Sequence, residues 1–135
     1  MCWRARMFAV PFWVRTNVLR VEGITVAINA VSILRGLSLS VETGAIVGLV
    51  GRNGAGKTTT LRSIMGLAQL GSGAIDLDGV RLEGLSSHLR ARLGIGYLPE
   101  DRRLVSGLSV RDNLLVPAQA SGVPDYEERL RRIEN

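Results

Sequence analysis

Residues 51–59 read Gly-Arg-Asn-Gly-Ala-Gly-Lys-Thr-Thr, and their types and spacing suit one task, holding a polyphosphate. They fit G-x-x-x-x-G-K-[ST], the P-loop (Walker A) pattern, with Gly51, Gly56, Lys57 and Thr58 at the fixed positions. A triphosphate is densely anionic, so its site needs many donors close together. Gly51, Gly54 and Gly56 keep side chains out of the way and let the chain bend where φ is positive. The backbone N–H groups of Gly51, Arg52, Asn53, Gly54, Ala55 and Gly56 can then turn inward as an anion-binding nest. A helix starting near Lys57 adds unpaired N–H groups and the positive end of its dipole. Lys57, the candidate catalytic cation, reaches the β- and γ-phosphates as a compact charge. Thr58 places its hydroxyl on Mg²⁺, and Thr59 adds a donor toward the α-phosphate. The ligand class is therefore a nucleoside triphosphate with magnesium. The bland alternative is a Gly-rich turn before a helix with a solvated lysine, and the restrictive pattern argues against it. Lys57 is also the only lysine; the rest of the 17 Lys and Arg residues are arginine.

A phosphate loop must be held between a strand and a helix. Ala45–Val50 supplies an apolar run that reads as a buried parallel strand, and Leu61, Ile64 and Met65 supply the helical pattern, ending near Gly66. Upstream, Leu19, Val21, Ile24, Val26 and Ile28 predict a strand with an irregularity at Gly23. Leu37, Leu39 and Val41 alternate with Ser38, Ser40 and Glu42 as a half-exposed strand, and 42–44 is a turn. Downstream, 71–73 reads as a turn, 74–77 as a strand and Asp78-Gly79 as a hairpin turn. Ser86 or Ser87 caps a short helix through Leu93, and 94–98 reads as a further strand stopped by Pro99. Ser109 caps a helix beginning at Val110. A last helix starts near Pro124, with Glu127 and Glu128 at its beginning and Arg131 and Arg132 at its end.

At 135 residues the chain is the size of one small domain. A net charge of +5 suggests nucleic acid or anionic lipid. The arginines are dispersed, however, and six aromatics do not interleave a basic block, so solvated arginines are the better account and no nucleic-acid partner is expected. One cysteine, Cys2, excludes an internal disulfide and fits a reducing compartment. No run approaches the roughly 18 apolar residues that span a bilayer. Residues 1–17 hold both Trp and both Phe. Pro11 and Arg15 interrupt their apolar stretch, which argues against a signal peptide. The expectation is a disordered extension, or translated sequence ahead of a true start near Val18. An interfacial anchor is the lesser alternative.

Several segments together resemble the ABC transporter ATPases. Asn53 in Gly-Arg-Asn-Gly-Ala-Gly-Lys-Thr-Thr is similar to their phosphate loop. LRGLSLSV (34–41) resembles the strand before it, TLRSIMGL (60–67) the following helix, and SGAIDLDG (72–79) the next hairpin. GIGYLPEDRRLVSGLSVRDNL (94–114) resembles the Q-loop region, and the spacing from Glu100 through Leu108 to Asn113 is that of the branched-chain amino-acid or urea importers. The resemblance covers about residues 19–133. It implies an α/β P-loop NTPase core with an antiparallel β-subdomain, here a partial nucleotide-binding domain over 18–135. It also implies ATP and Mg²⁺, a second ATPase subunit, transmembrane permease subunits, and a solute-binding protein acting indirectly. The implied location is the cytoplasmic face of the cell membrane, as a peripheral subunit.

Three departures from the family pattern stand out. Ile28 occupies the place of an aromatic that stacks on adenine, leaving a weaker apolar base contact. Glu100 occupies the place of the Q-loop glutamine, where a carboxylate can still coordinate Mg²⁺ but adds negative charge near the γ-phosphate. The sequence shows no LSGGQ-like signature, no apolar strand ending in Asp-Glu and no switch histidine, and His88 reads as a surface residue. The expectation is a fragment truncated before the signature and Walker B segments, carrying the phosphate cradle without the part that orients attacking water. Two alternatives stay open: a degenerate nucleotide-binding module without hydrolysis, and another P-loop enzyme such as a small-molecule kinase or a GTPase.

Overall fold

A bulge at Gly23 sets the phase of the sheet in the first half of the chain. The computed structural model describes residues 6–9, 18–101, 104–122 and 125–134. The chain divides into two compact units, Met1–Leu85 and Ser86–Asn135, where the sequence suggests one partial domain over 18–135.

In the first unit, β1 (Arg6–Ala9), β2 (Leu19–Ile28), β3 (Val31–Val41), β4 (Ala45–Gly48), α1 (Lys57–Ile64), β5 (Ser72–Leu77) and β6 (Val80–Arg81) follow in order. Four strands form an antiparallel sheet in the order β3-β2-β5-β6. Strict alternation along β2 would put Val21 and Ile24 on opposite faces. The register shifts between Val21 and Ile24, where Gly23 has φ 56°, so the phase flips. Val21, Ile24 and Val26 are therefore all buried, together with Leu34, Leu37, Ile75, Leu77 and Leu82. Opposite the bulge, Gly73 has φ 92°, and a Cβ there would stand 2.6 Å from the carbonyl oxygens of Glu22 and Gly23. That close approach keeps Gly73 inside β5, where the sequence suggested a turn. Asp78 and Gly79, with φ of 53° and 82°, make the predicted tight turn between β5 and β6. A second turn of this kind, at Asn29 (φ 49°) and Ala30 (φ 64°), joins β2 to β3.

One expectation fails in this unit. Ala45–Val50 is not a buried parallel strand. β4 is antiparallel to β1, covers only Ala45–Gly48, and leaves Ile46 59% exposed. Among the described residues no strand runs parallel to it. A parallel neighbour needs a long crossover connection, whereas an antiparallel one can fill an open edge directly. The strand that pairs with β4, β1, covers Arg6–Ala9. The remainder of 1–17 lies outside the described residues.

The second unit holds α2 (Ser87–Arg92), α3 (Val110–Ser121) and α4 (Tyr126–Glu134). Helix α2 contacts α3, and α3 contacts α4. Residues 94–98 are not a strand. Gly94 (φ 100°) closes α2: its N–H bonds the Ala91 carbonyl at 3.0 Å, and Ile95 N–H bonds the Arg90 carbonyl at 3.2 Å. The segment begins by capping a helix, so its first amides are not available for a sheet. Ser109 caps α3 as expected, its hydroxyl accepting from Asp112 N–H at 3.1 Å. Asn113 ties the preceding turn to this helix. Its Oδ1 accepts from Val105 N–H at 2.8 Å, and its Nδ2 donates to the carbonyls of Val105, Leu108 and Ser109 at 3.0–3.2 Å. Helix α4 carries the expected acidic start and basic end, with Arg132 paired to Glu128 at 2.6 Å. Pro124 lies outside the described residues.

Candidate functional site

The loop between β4 and α1 is curled. Ala55 N–H donates to the Arg52 carbonyl at 3.1 Å, closing a turn, and Gly54 and Gly56 take φ of 80° and 95°. These are conformations that glycine adopts without the penalty a Cβ imposes. Gly56 is the N-cap of α1, and no side chain bonds into that cap. Its carbonyl accepts from Thr60 N–H at 2.8 Å and from the Thr60 hydroxyl at 2.9 Å. The Ser63 hydroxyl donates to the Thr59 carbonyl at 2.8 Å. Buried Thr60 and Ser63 thus satisfy their polar atoms within the helix while Ile64 packs inward. The helix closes at Gly66, with Leu67 N–H on the Arg62 carbonyl at 2.7 Å.

Lys57 folds back over the loop that precedes it. Its Nζ donates to the Gly51 carbonyl at 2.8 Å and to the Arg52 carbonyl at 3.0 Å. The ammonium therefore lies at the rim of the loop and does not extend away from it. No acidic residue occupies the first turn of α1, so no side-chain carboxylate there competes for the helix dipole. Residues 51–54 are exposed, Ala55, Lys57, Thr58 and Thr59 are half-buried, and Gly56 is buried. The arrangement is an exposed, curled loop leading into a helix N-terminus, with a cation on its edge. That donor set suits an anionic ligand approaching from solvent.

The other sequence-derived candidates fall elsewhere. Ile28 ends β2 at the tip of the β2–β3 hairpin and is 47% exposed. Glu100 is exposed and belongs to the second unit. His88 is exposed, with Nδ1 3.0 Å from the Ser86 hydroxyl, in keeping with a surface residue. A contact the sequence did not signal lies beneath the loop. The side chain of Leu34, on β3, stands against Gly56. Sequence separation hides this pairing, since only the fold of β3 onto α1 brings the two together.

The family sequence model described as "ABC transporter" matches residues 34–135. The chain belongs to the ABC transporter family. It is 49% identical over 82 residues to a probable ABC transporter ATP-binding protein of Azorhizobium caulinodans, covering 61% of this chain and 29% of that protein. It is 42% identical over 97 residues to the lipopolysaccharide export system ATP-binding protein LptB of Escherichia coli K12, covering 72% of this chain and 40% of the relative. A solved structure described as "Structure of ATP binding subunit of ABC transporter" superposes with a TM-score of 0.65 at 28% identity, covering 83% of this chain and 46% of that one. The fold is accordingly that of an ABC ATP-binding subunit, and the chain spans less than half the length of these relatives. Family membership implies ATP with Mg²⁺. The inward-held ammonium, the positive-φ loop and the helix start free of carboxylates fit that ligand. Among the described residues no helix is long and apolar enough to cross a membrane.

Proposed function

We propose that this chain is the nucleotide-holding part of an ABC transporter ATP-binding subunit. The observation that carries the proposal is the position of the Lys57 ammonium, within 3.0 Å of the Gly51 and Arg52 carbonyls at the rim of a curled loop. In this reading the N–H groups of residues 51–59 hold the phosphates, and Lys57 neutralises the β- and γ-phosphate charge. The Thr58 hydroxyl holds Mg²⁺, and Ile28 gives an apolar contact to the base. Bound Mg-ATP supplies the free energy of γ-phosphate transfer to water. The subunit acts at the cytoplasmic face of the membrane, docked on transmembrane permease subunits and paired with a second ATPase subunit. The test is calorimetric titration of the purified chain with Mg-ATP. Saturable binding supports the proposal, and no binding at millimolar nucleotide rejects it. Turnover by the chain alone would reject the alternative of a module without hydrolysis.

The transported solute has two readings. The spacing from Glu100 through Leu108 to Asn113 supports an importer of a small solute such as a branched-chain amino acid, fed by a solute-binding protein. Similarity to LptB supports an export role. Deletion of the gene separates them. Loss of radiolabelled leucine uptake supports import, and a cell-surface lipopolysaccharide defect with normal uptake supports export.

A further inference from the structure

The phosphate loop has a floor as well as a rim. We infer that Leu34 is a positioning residue for the loop, acting through Gly56; this rests on the reading of residues 51–59 as the phosphate site. Leu34 is 3% exposed and lies across from Val26 in the sheet, so its backbone is fixed by β2. A Cβ at position 56 would stand 2.6 Å from Leu34 Cδ2, with Ile33 Cγ2 at 3.5 Å and the Ile33 carbonyl at 3.6 Å. The Leu34 side chain thus occupies the space that any side chain at 56 would need.

Gly56 is the joint of the site. Its φ of 95° turns the chain from loop to helix, and its carbonyl takes both Thr60 bonds. A displacement of Gly56 moves the first N–H groups of α1 and the root of Lys57 with it. Dispersion contacts fall off steeply, so a gap of about 0.5–1 Å already forfeits a quarter to a half of each. The isobutyl group of Leu34 therefore sets how deeply the joint sits. The antiparallel sheet, which touches no phosphate through this residue, fixes the depth of the cradle.

The test is a cycle of Leu34→Ala and Gly56→Ala in the full chain, read by backbone amide exchange at Ala55 and Thr60, whose N–H groups bond the Arg52 and Gly56 carbonyls. Gly56→Ala carries the same positive-φ penalty in either background, so that penalty cancels, and only the clash with Leu34 differs. We expect Gly56→Ala to accelerate loop exchange by about tenfold more in the wild-type background than in the Leu34→Ala background, the ratio a change of one or two packed methyl groups makes. An equal acceleration in both backgrounds overturns the inference. Ile75→Ala removes a fully buried side chain on β5 and serves as the control for general core loss. Loop exchange rising as much in Ile75→Ala as in Leu34→Ala also overturns it. Leu34→Met keeps the volume and is expected to retain wild-type loop exchange, which covers the case in which Leu34→Ala unfolds. A wild-type chain that fails to bind Mg-ATP rejects the phosphate-site reading, while the exchange cycle still decides the role of Leu34. Where it binds, Leu34→Ala is expected to weaken Mg-ATP about tenfold and Ile75→Ala to leave the dissociation constant near wild type.

Discussion

Replacing Lys57 with alanine removes the one cation that the loop holds to itself. Two bonds disappear in the free protein, those to the Gly51 and Arg52 carbonyls at 2.8 and 3.0 Å. Hydrogen bonds involving a charged partner contribute about 1.5–3 kcal/mol each when protected from water. Lys57 is half-buried, so the lower end applies in the free state. On binding, the ammonium exchanges neutral carbonyls for phosphate oxygens that carry full negative charge. The affinity lost is the difference between those two sets of contacts, and charge decides its sign. A loss of at least ~1.5–3 kcal/mol corresponds to roughly ten- to a hundredfold in dissociation constant. Calorimetric titration of wild type and Lys57→Ala with Mg-ATP measures it, with circular dichroism confirming that the sheet persists. Lys57→Arg is expected to fail as well, because a planar guanidinium does not fit where a compact ammonium turns between two carbonyls. Unchanged affinity in Lys57→Ala would refute the placement of the nucleotide in this loop.

Gly73→Ala should cost more than Gly79→Ala, although both positions have positive φ. Both substitutions carry the roughly 1–2 kcal/mol of a left-handed residue. Only position 73 also drives a Cβ to 2.6 Å from the backbone of Glu22 and Gly23. Amide exchange at Ala74 reads the β2–β5 pairing, and equal effects of the two substitutions would disprove the close-approach account. Glu83 makes the first unit acid-sensitive. Burial pushes its carboxyl up, but N–H bonds from Ile75 and from its own backbone, together with Arg81, outweigh this and hold it below the ordinary 4.5. A folded-state value below the unfolded one contributes stability that is present above pH 4.5 and lost as pH falls through the folded value. Glu83→Gln should flatten the acid limb of a circular dichroism titration, and an unaltered limb would count against that assignment.

Sequence sufficed where local chemistry decides the outcome. The Asp78-Gly79 turn, the Ser109 cap and the curled glycine-rich loop before α1 each depend on residues close together in the chain, and each is found where the pattern places it. The irregularity at Gly23 was legible for the same reason, because the parity of apolar residues breaks there. The failures have a common physical origin in partners remote in sequence. Ala45–Val50 is apolar enough for a parallel strand, but pairing depends on which neighbour reaches its edge. Ile95 looks like the start of a strand until its N–H is seen on the Arg90 carbonyl. The turn at Asn29-Ala30 escaped notice because alanine seldom adopts positive φ, and the flanking strands impose it. The curl of the loop is readable in its glycines, but the contact between Leu34 and Gly56 is not, since nothing in a sequence pairs residue 34 with residue 56.

The carboxamide of Asn113 grips Val105 at both its N–H and its carbonyl, as a neighbouring strand would, and also takes the carbonyls of Leu108 and Ser109. The turn ahead of α3 and the first coil of that helix are thereby welded at four points. Leu104, beside Val105, is 74% exposed. Moving Val105 away from α3 therefore means breaking the paired bonds of one side chain together, not one weak contact at a time.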